Sequence, residues 1–454
     1  MAMGWLAYRR LPAIIVAFAV VACSESAEDP TMPATDATIG DSPYKVSTRA
    51  EMLQAEPAAS ASLTSGAIES RIRRVEHGLR ASYQGSGRSA MSLSDRMAHY
   101  NVPGVSIAVV DDHRVEWARG YGVSTAGRNE RVTPDTLFQA ASIGKVVVAA
   151  AALHYVDQGL LELDGDVSRN LSSWRLPEEG FTAREKVTLR RLLSHSAGVT
   201  VSGFRGYADG EQTPSLRQVM DGRLPANSPP IRVDTIPGTQ YRYSGGGYMV
   251  VQQLLMDVTG APFPDVMRDV VLDPWGMAVS TFESPLPEGS WAIAASGHRS
   301  DGAVIPGGWH TYPEMGAGAS MWATPSDLAR FAIGVMRAYE GLSDGVISQA
   351  MATQMLTPQI EDRGLGPALG DDGGDRLYFL HPGANEGYRC GLVAYPKRGQ
   401  AVVIMTNGDG GEALWREILR SVSTEYGWVS DHTYTYVAIS AAILAAIVGL
   451  WSLR

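Results

Sequence analysis

Cysteine and lysine are the scarce residues of this 454-residue chain. Only Cys23 and Cys390 occur, nearly the whole chain apart, so no disulfide framework holds the fold together. Lys45, Lys145, Lys186 and Lys397 are the only lysines among 38 basic residues, and any motif that needs a lysine has four places to look. Basic charge is also in deficit overall: 48 Asp+Glu leave a formal net charge of −10, which excludes a generally basic face for nucleic acid. There is no repeat of 20–50 residues, so a solenoid or propeller is not expected. The nine histidines contain no pair at zinc-helix spacing with a carboxylate, and neither a metal nor a cofactor is expected. The absence of Gly-x-Ser-x-Gly argues against the strand-to-helix nucleophile turn of an α/β-hydrolase.

What is present is ample material for a core, with 45% hydrophobic and 19% charged residues. At roughly 100–200 residues per core, this length predicts two or three cores or layers. Arg9 and Arg10 precede an apolar run over 13–22, too short for a comfortable membrane span but suited to a signal peptide, which predicts export. The run ends Val20-Val21-Ala22-Cys23, which resembles a bacterial lipobox, with an ordinary signal peptide as the alternative. Residues 24–66 are rich in Ser, Thr, Ala, Pro and acidic residues and read as a flexible linker. Residues 67–428 form the folded part, and 429–454 contain an apolar stretch over 434–451 with tyrosines at its head and Trp451 near its foot. That stretch is a candidate transmembrane helix, with a core or interfacial helix as the alternative. The catalytic part would then lie on the periplasmic or extracellular side, anchored through this helix and, if Cys23 is lipidated, through lipid.

Between these ends, residues 105–110 and 114–120 flank Asp111-Asp112-His113 and predict a β-hairpin. Residues 143–158 predict a buried helix closed by Gly159. Helices are predicted at 189–193, 248–259 and 264–271, and strands return at 377–380, 389–394 and 401–406. Strands at both ends thus enclose helices in the middle.

Ser142-Ile143-Gly144-Lys145 stands at the head of the long apolar helix. Positions i and i+3 share a helix face, so the Lys145 ammonium can reach the Ser142 hydroxyl. The helix N-terminus adds free N–H groups for developing negative charge. A serine hydroxyl is a poor nucleophile until a base takes its proton, and a lysine can serve once desolvation lowers its pKa. Lys145 is followed by VVVAAAALHYV rather than by polar residues, so it faces a core and needs a partner. Tyr243, beside Ser244 and three consecutive glycines from Gly245, either projects a phenol into a cleft or packs against a helix start. His381-Pro382-Gly383-Ala384 follows one predicted strand and precedes the next, where small residues could face a substrate. Trp309, His310 and Tyr312 either line the pocket or sit on a surface loop. Cys390 is expected to be a buried, inert thiol.

Ser142-x-x-Lys145, Leu192-Leu193-Ser194-His195-Ser196-Ala197-Gly198, Pro237-Gly238 with Tyr243-Ser244-Gly245, Thr324-Pro325-Ser326-Asp327-Leu328-Ala329 and His381-Pro382-Gly383 follow one another in an order that resembles the serine β-lactamase-related family. That family includes class C β-lactamases, D-alanyl-D-alanine carboxypeptidases, D-aminopeptidases and β-lactamase-like esterases, and the resemblance covers nearly all of 67–428. It implies an α/β (α+β) fold of the β-lactamase/transpeptidase type: a mixed, mainly antiparallel sheet flanked by helices, beside a mainly helical region. It implies Ser142 as the acylated nucleophile, Lys145 as its proton partner and Tyr243 as the acid/base, although which group is the base is disputed among such enzymes. It further implies an oxyanion hole from the N–H groups of Ser142 and Ala384, with His381, Gly383 and Gly245 bordering the substrate. His195 is expected to be structural, capping the turn at Ser194–Gly198.

Two departures bear on the substrate. Tyr243-Ser244-Gly245 stands where class C enzymes have Tyr-x-Asn, so a side-chain amide is missing. His381-Pro382-Gly383 stands where they have Lys-Thr-Gly, and histidine is a weaker carboxylate anchor than lysine. Efficient β-lactam hydrolysis is therefore not expected. The expected substrate is a D-amino-acid peptide, a peptidoglycan fragment, a β-lactam turned over inefficiently or a small ester, and the rival reading is a non-catalytic penicillin-binding sensor of the same fold.

Overall fold

The computed structural model describes residues 64–81, 90–342, 345–371 and 376–428. The stretches read as a signal segment and as a linker, up to residue 63, and the stretch 429–454 read as a membrane helix lie outside the described residues. Among the described residues no helix is long and apolar enough to cross a membrane. The first helix, Ser65–Glu76, begins inside the stretch read as linker.

Among the described residues there are eight strands: β1 Gly104–Asp111, β2 Arg114–Gly122, β3 Phe138–Gln139, β4 Trp322–Ala323, β5 Ala368–Asp371, β6 Leu377–Asn385, β7 Tyr388–Tyr395 and β8 Gln400–Thr406. Six of them build one sheet in the order β2-β1-β8-β7-β6-β5, so N- and C-terminal segments meet at the β1–β8 pair. Every pairing in this sheet is antiparallel, which corrects the expected mixed sheet. Each step from β5 to β8, and from β1 to β2, is a short hairpin connection, and hairpins can only make antiparallel neighbours. β1 alternates its side chains between two cores. Val105, Ile107 and Val109 pack with Ile72, Val75, Leu414 and Trp415 of the Ser65–Glu76 and Gly411–Tyr426 helices. Ala108 and Val110 face the larger core that runs into the helical region. Burial on both faces explains why the strand reads as a nearly continuous apolar run, interrupted only by Ser106, rather than a polar–apolar alternation.

The Gly144–Asp157 helix is buried on every side from Gly144 through Leu153, as its Val- and Ala-rich sequence requires. It is the spine of the larger core. A 3₁₀ turn, Ala141–Ile143, leads into it and carries Ser142. The Gly245–Thr259 helix starts three residues earlier than its apolar pattern suggests, because Ser244 caps it by accepting the Gly247 N–H at 2.8 Å and the glycines form its first turn. The segment 264–271 divides into an α-turn, Phe263–Met267, and a π-turn, Arg268–Leu272.

The largest departure from the sequence reading is β6. Predicted to end at Leu380, it continues to Asn385, so His381, Pro382, Gly383 and Ala384 lie in a strand. They pair with β7 throughout, Ala384 opposite Arg389. β5 pairs only as far as Leu380 on the other side, so beyond it β6 is an edge. Proline is tolerated on a strand where no second ladder needs its N–H.

Candidate active site

The free edge of β6 faces the turn that carries Ser142. Contact is close: a methyl group on Gly383 would stand 2.3 Å from the Ala140 carbonyl oxygen and 3.4 Å from Ile143 Cγ1, so only glycine lets the strand approach. Ala141, the residue before the serine, has φ of 49°, a left-handed conformation that a non-glycine residue adopts at a cost of order 1–3 kcal/mol. Packing on both sides, with Ala141 only 1% exposed, holds it there.

Ser142 Oγ is met by two partners. Lys145 Nζ lies 3.1 Å away, and the Tyr243 hydroxyl donates to it at 2.9 Å. Lys145 Nζ also donates to the Gly318 carbonyl at 2.5 Å, and lies 5.3 Å from the centre of the Tyr243 ring. Burial of the lysine, which is 1% exposed, pushes its ammonium down to about 7. Close to neutrality it therefore spends much of its time as an amine with a lone pair. Burial moves Tyr243 the other way, well above the ordinary phenol value and only partly offset by its bond to Ser142, so the phenol keeps its proton.

The Ser194–Gly198 turn supports the tyrosine from behind. His195 Nδ1 accepts the Ser244 N–H at 3.1 Å, and its ring lies 4.3 Å from that of Tyr243. The His195 carbonyl accepts the Arg242 N–H at 2.8 Å and the Ser196 carbonyl accepts that of Gly238 at 2.7 Å. His195 is buried and held neutral, first by desolvation and then by the charge of Lys145. It is structural, as expected, but what it positions is the tyrosine block.

His381 lies with its ring 6.4 Å from that of Tyr243 and directs Nδ1 to the Pro382 carbonyl at 2.7 Å. Burial, with Lys145 and Arg363 adding to it, pulls the imidazole down to about 3, so His381 is neutral at physiological pH. A neutral ring cannot anchor a carboxylate by charge.

Arg363, which the sequence did not single out, is a cation close to this group. Its guanidinium stacks 4.6 Å over the centre of the Tyr241 ring and pairs with Asp362 at 3.1 Å. It is close enough to depress His195 and His381. No local motif marks it; the only signal is that Tyr241 and Tyr243, two apart on an extended segment, point their rings to a shared region.

A second set of groups found only in the structure ties the walls together. Asn385, at the end of β6, donates to Gln139 Oε1 at 2.7 Å and to the Ala319 carbonyl at 3.0 Å. Gln139 in turn donates to the His310 carbonyl at 2.8 Å. This clamp joins the edge strand, the nucleophile turn and the Gly316–Ser320 turn whose Gly318 carbonyl holds Lys145. The loop with Trp309, His310 and Tyr312 is therefore a brace of the site: Trp309 stacks between Trp291 and Trp322, and Tyr312 is buried. Asn385→Ala leaves two acceptors unpaired in a buried place, at about 1–3 kcal/mol each. It is expected to lower kcat at least tenfold with a smaller change in KM, measured on any turned-over ester, because the strand loses its register against Ser142. Cys390 is buried, its thiol pushed up to about 12, and serves packing. No cluster of metal-ligating side chains occurs among the described residues.

A serine held by an amine and a phenol, at the head of a buried helix and beside a sheet edge, is the arrangement that the ordered sequence blocks imply. The β-lactamase family profile matches residues 92–422 of this chain. The chain belongs to the β-lactamase family. Members of this family are serine hydrolases. The chain is 27% identical over 348 residues to penicillin-binding protein 4 of Amycolatopsis lactamdurans, covering 73% of this chain and 87% of that one. It is 27% identical over 243 residues to a D-aminopeptidase of Gluconobacter oxydans, covering 52% of this chain and 43% of that one. The fold is similar to that of the D-alanine carboxypeptidase AmpC from Burkholderia cenocepacia, with a TM-score of 0.60, 17% identity, and coverage of 80% of this chain and all 100% of that one. Within the family, this β-lactamase relative carries a glycine at 245 and a neutral histidine at 381.

Proposed function

We propose that this protein is an exported serine hydrolase that works through an acyl-enzyme on Ser142, acting on acyl-D-amino-acid peptides, peptidoglycan fragments or small esters. The observation that carries the reading is the pairing of Ser142 with a lysine whose burial holds it near neutrality, 3.1 Å from the hydroxyl. Neutral Lys145 takes the Ser142 proton as Oγ attacks the carbonyl carbon. The N–H groups of Ser142 and Ala384 face the oxyanion, and Gly383 allows the two segments to close on it. As the carbon–nitrogen or carbon–oxygen bond breaks, the Tyr243 hydroxyl protonates the leaving atom and recovers a proton from the Lys145 ammonium. Water then attacks the ester in the reverse sequence, and Ser142 leaves with its proton restored. Arg363 favours a substrate with a carboxylate near Tyr241, which a D-amino-acid peptide has and a simple ester lacks. The likeness to a penicillin-binding protein and a D-aminopeptidase supports the same substrate class.

The test is intact-mass analysis of the full chain mixed with benzylpenicillin, with Ser142→Ala beside it. A Ser142-dependent adduct that decays slowly is the expected result. An adduct that never decays, with no turnover of D-amino-acid peptides or esters, would favour the sensor over the hydrolase. An adduct formed equally by Ser142→Ala would remove the nucleophile assignment.

A further inference from the structure

The segment 200–207 is stitched to the site on two sides. The Gly245 N–H donates to the Ser202 carbonyl at 3.1 Å, the Gly246 N–H to that of Val201 at 2.9 Å, and Ser244 Oγ to that of Thr200 at 2.8 Å. At its other end Tyr207 exchanges both backbone hydrogen bonds with Thr311, at 2.8 and 2.9 Å, beside the Trp309 loop. Phe204 lies between these attachments, with part of its ring against the larger core and part exposed.

Its ring edge rests on two glycines that flank the catalytic groups. A methyl group on Gly245 would stand 3.2 Å from Phe204 Cε2, and one on Gly318 would stand 2.8 Å from the same atom. Neither glycine has a positive φ, so space for the ring is what these positions provide. Gly318 holds Lys145 through its carbonyl, and Gly245 is two residues from Tyr243. The Gly245 N–H is already used by the Ser202 carbonyl, and a glycine at this position offers no side-chain donor, so what stands against it is the Phe204 ring. Along the same block Arg363 stands over Tyr241 at the opposite end. On the substrate orientation proposed above, with the charged leaving group toward Arg363 and Tyr241, the acyl group falls on the Phe204 side of Ser142.

Resting on the acyl-enzyme reading above, we propose that Phe204 is a specificity-determining residue, which selects substrates whose acyl group lays an apolar surface, rather than a hydrogen-bonding amide, against its ring. A hydrophobic contact of this size discriminates by about 10–200-fold between acyl groups that fill it and those that do not. The experiment compares kcat/KM for p-nitrophenyl phenylacetate and p-nitrophenyl acetate, which share a leaving group and differ in the acyl part. In the full-length wild type, phenylacetate is preferred. Phe204→Ala lowers the phenylacetate-to-acetate ratio about tenfold, and Phe204→Leu, which keeps most of the bulk and protects folding, lowers it less. Equal changes for both esters in both variants would overturn the proposal, since a residue that only packs affects both alike. Retention of ester turnover by Ser142→Ala would instead remove the reading on which this one rests.

Discussion

Replacing Ser142 by alanine should abolish hydrolysis of every substrate by on the order of 10⁴-fold or more, because no other group near the site can form the acyl bond. The nearest hydroxyl, that of Tyr243, is held protonated by burial and is committed to Ser142 itself. The serine is small, its side chain only partly buried, and its removal leaves the Gly144–Asp157 helix and the Gly383 contact in place, so the variant should melt within a few degrees of the wild type. Initial rates on a chromogenic ester, with thermal unfolding as the control, decide the point. A variant with a tenth of the wild-type rate would show that Ser142 is not the nucleophile.

Lys145→Met should reduce kcat/KM by about 10²–10⁴-fold, the usual range for a general base, and should at the same time stabilise the protein. The two effects have one cause. Lys145 is pulled from its ordinary 10.5 down to about 7 by desolvation alone. Between those values the unfolded chain binds more protons than the folded one, so native stability climbs as pH rises from about 7 to 10.5, and below about 7 the penalty is present in full. At pH 7 that penalty is on the order of 4 kcal/mol. Methionine avoids it, at the cost of leaving the Gly318 carbonyl without its donor, about 1–3 kcal/mol. A net gain of about 2 kcal/mol corresponds to a Tm higher by roughly 2–4 °C for a domain of this size. Wild-type kcat/KM should rise with pH to a plateau above about 7, as the amine form of Lys145 accumulates. His381, already neutral above about 3, adds no limb in that range. A profile flat from pH 5 to 9, or a Lys145→Met variant that melts well below the wild type, would make the lysine a structural residue rather than the base.

The opposition between activity and stability at Lys145 is what a preorganised site predicts: an amine kept poised near pH 7 must be held where its charged form is poorly solvated. The Asn385–Gln139 clamp and the His195 brace then keep that amine, the phenol and the strand edge in place. Of the two side chains that meet Ser142 Oγ, Lys145 comes from the same helix start and Tyr243 from a distant segment, and the supporting hydrogen bonds hold the two in register.

Ser142 and Lys145 were legible because their relation is local: three residues apart at a helix start, followed by a run so apolar that the lysine had to be buried. Tyr243 was legible from its block and the order of the blocks. The hairpin at 105–120 and the helices at 143–158 and 189–193 were readable from apolar runs and the turn and stop signals that bound them, since neighbours in sequence determine them. The extent of β6 was not. Pro382 and Gly383 are breakers by local rules, and they stand in a strand because β5 has ended beside them and Ala140 presses against Gly383. Arg363 over Tyr241, Asn385 on Gln139 and Phe204 between Gly245 and Gly318 join residues far apart in the chain, and no spacing announces such pairs. By itself the sequence determined the family and the Ser142–Lys145 pair that the fold brings together, because these reside in short ordered segments. Only the tertiary structure decided which strand edge faces the serine, which cation stands over Tyr241 and which ring packs on Gly245 and Gly318, because packing across the core, not propensity along the chain, sets those distances.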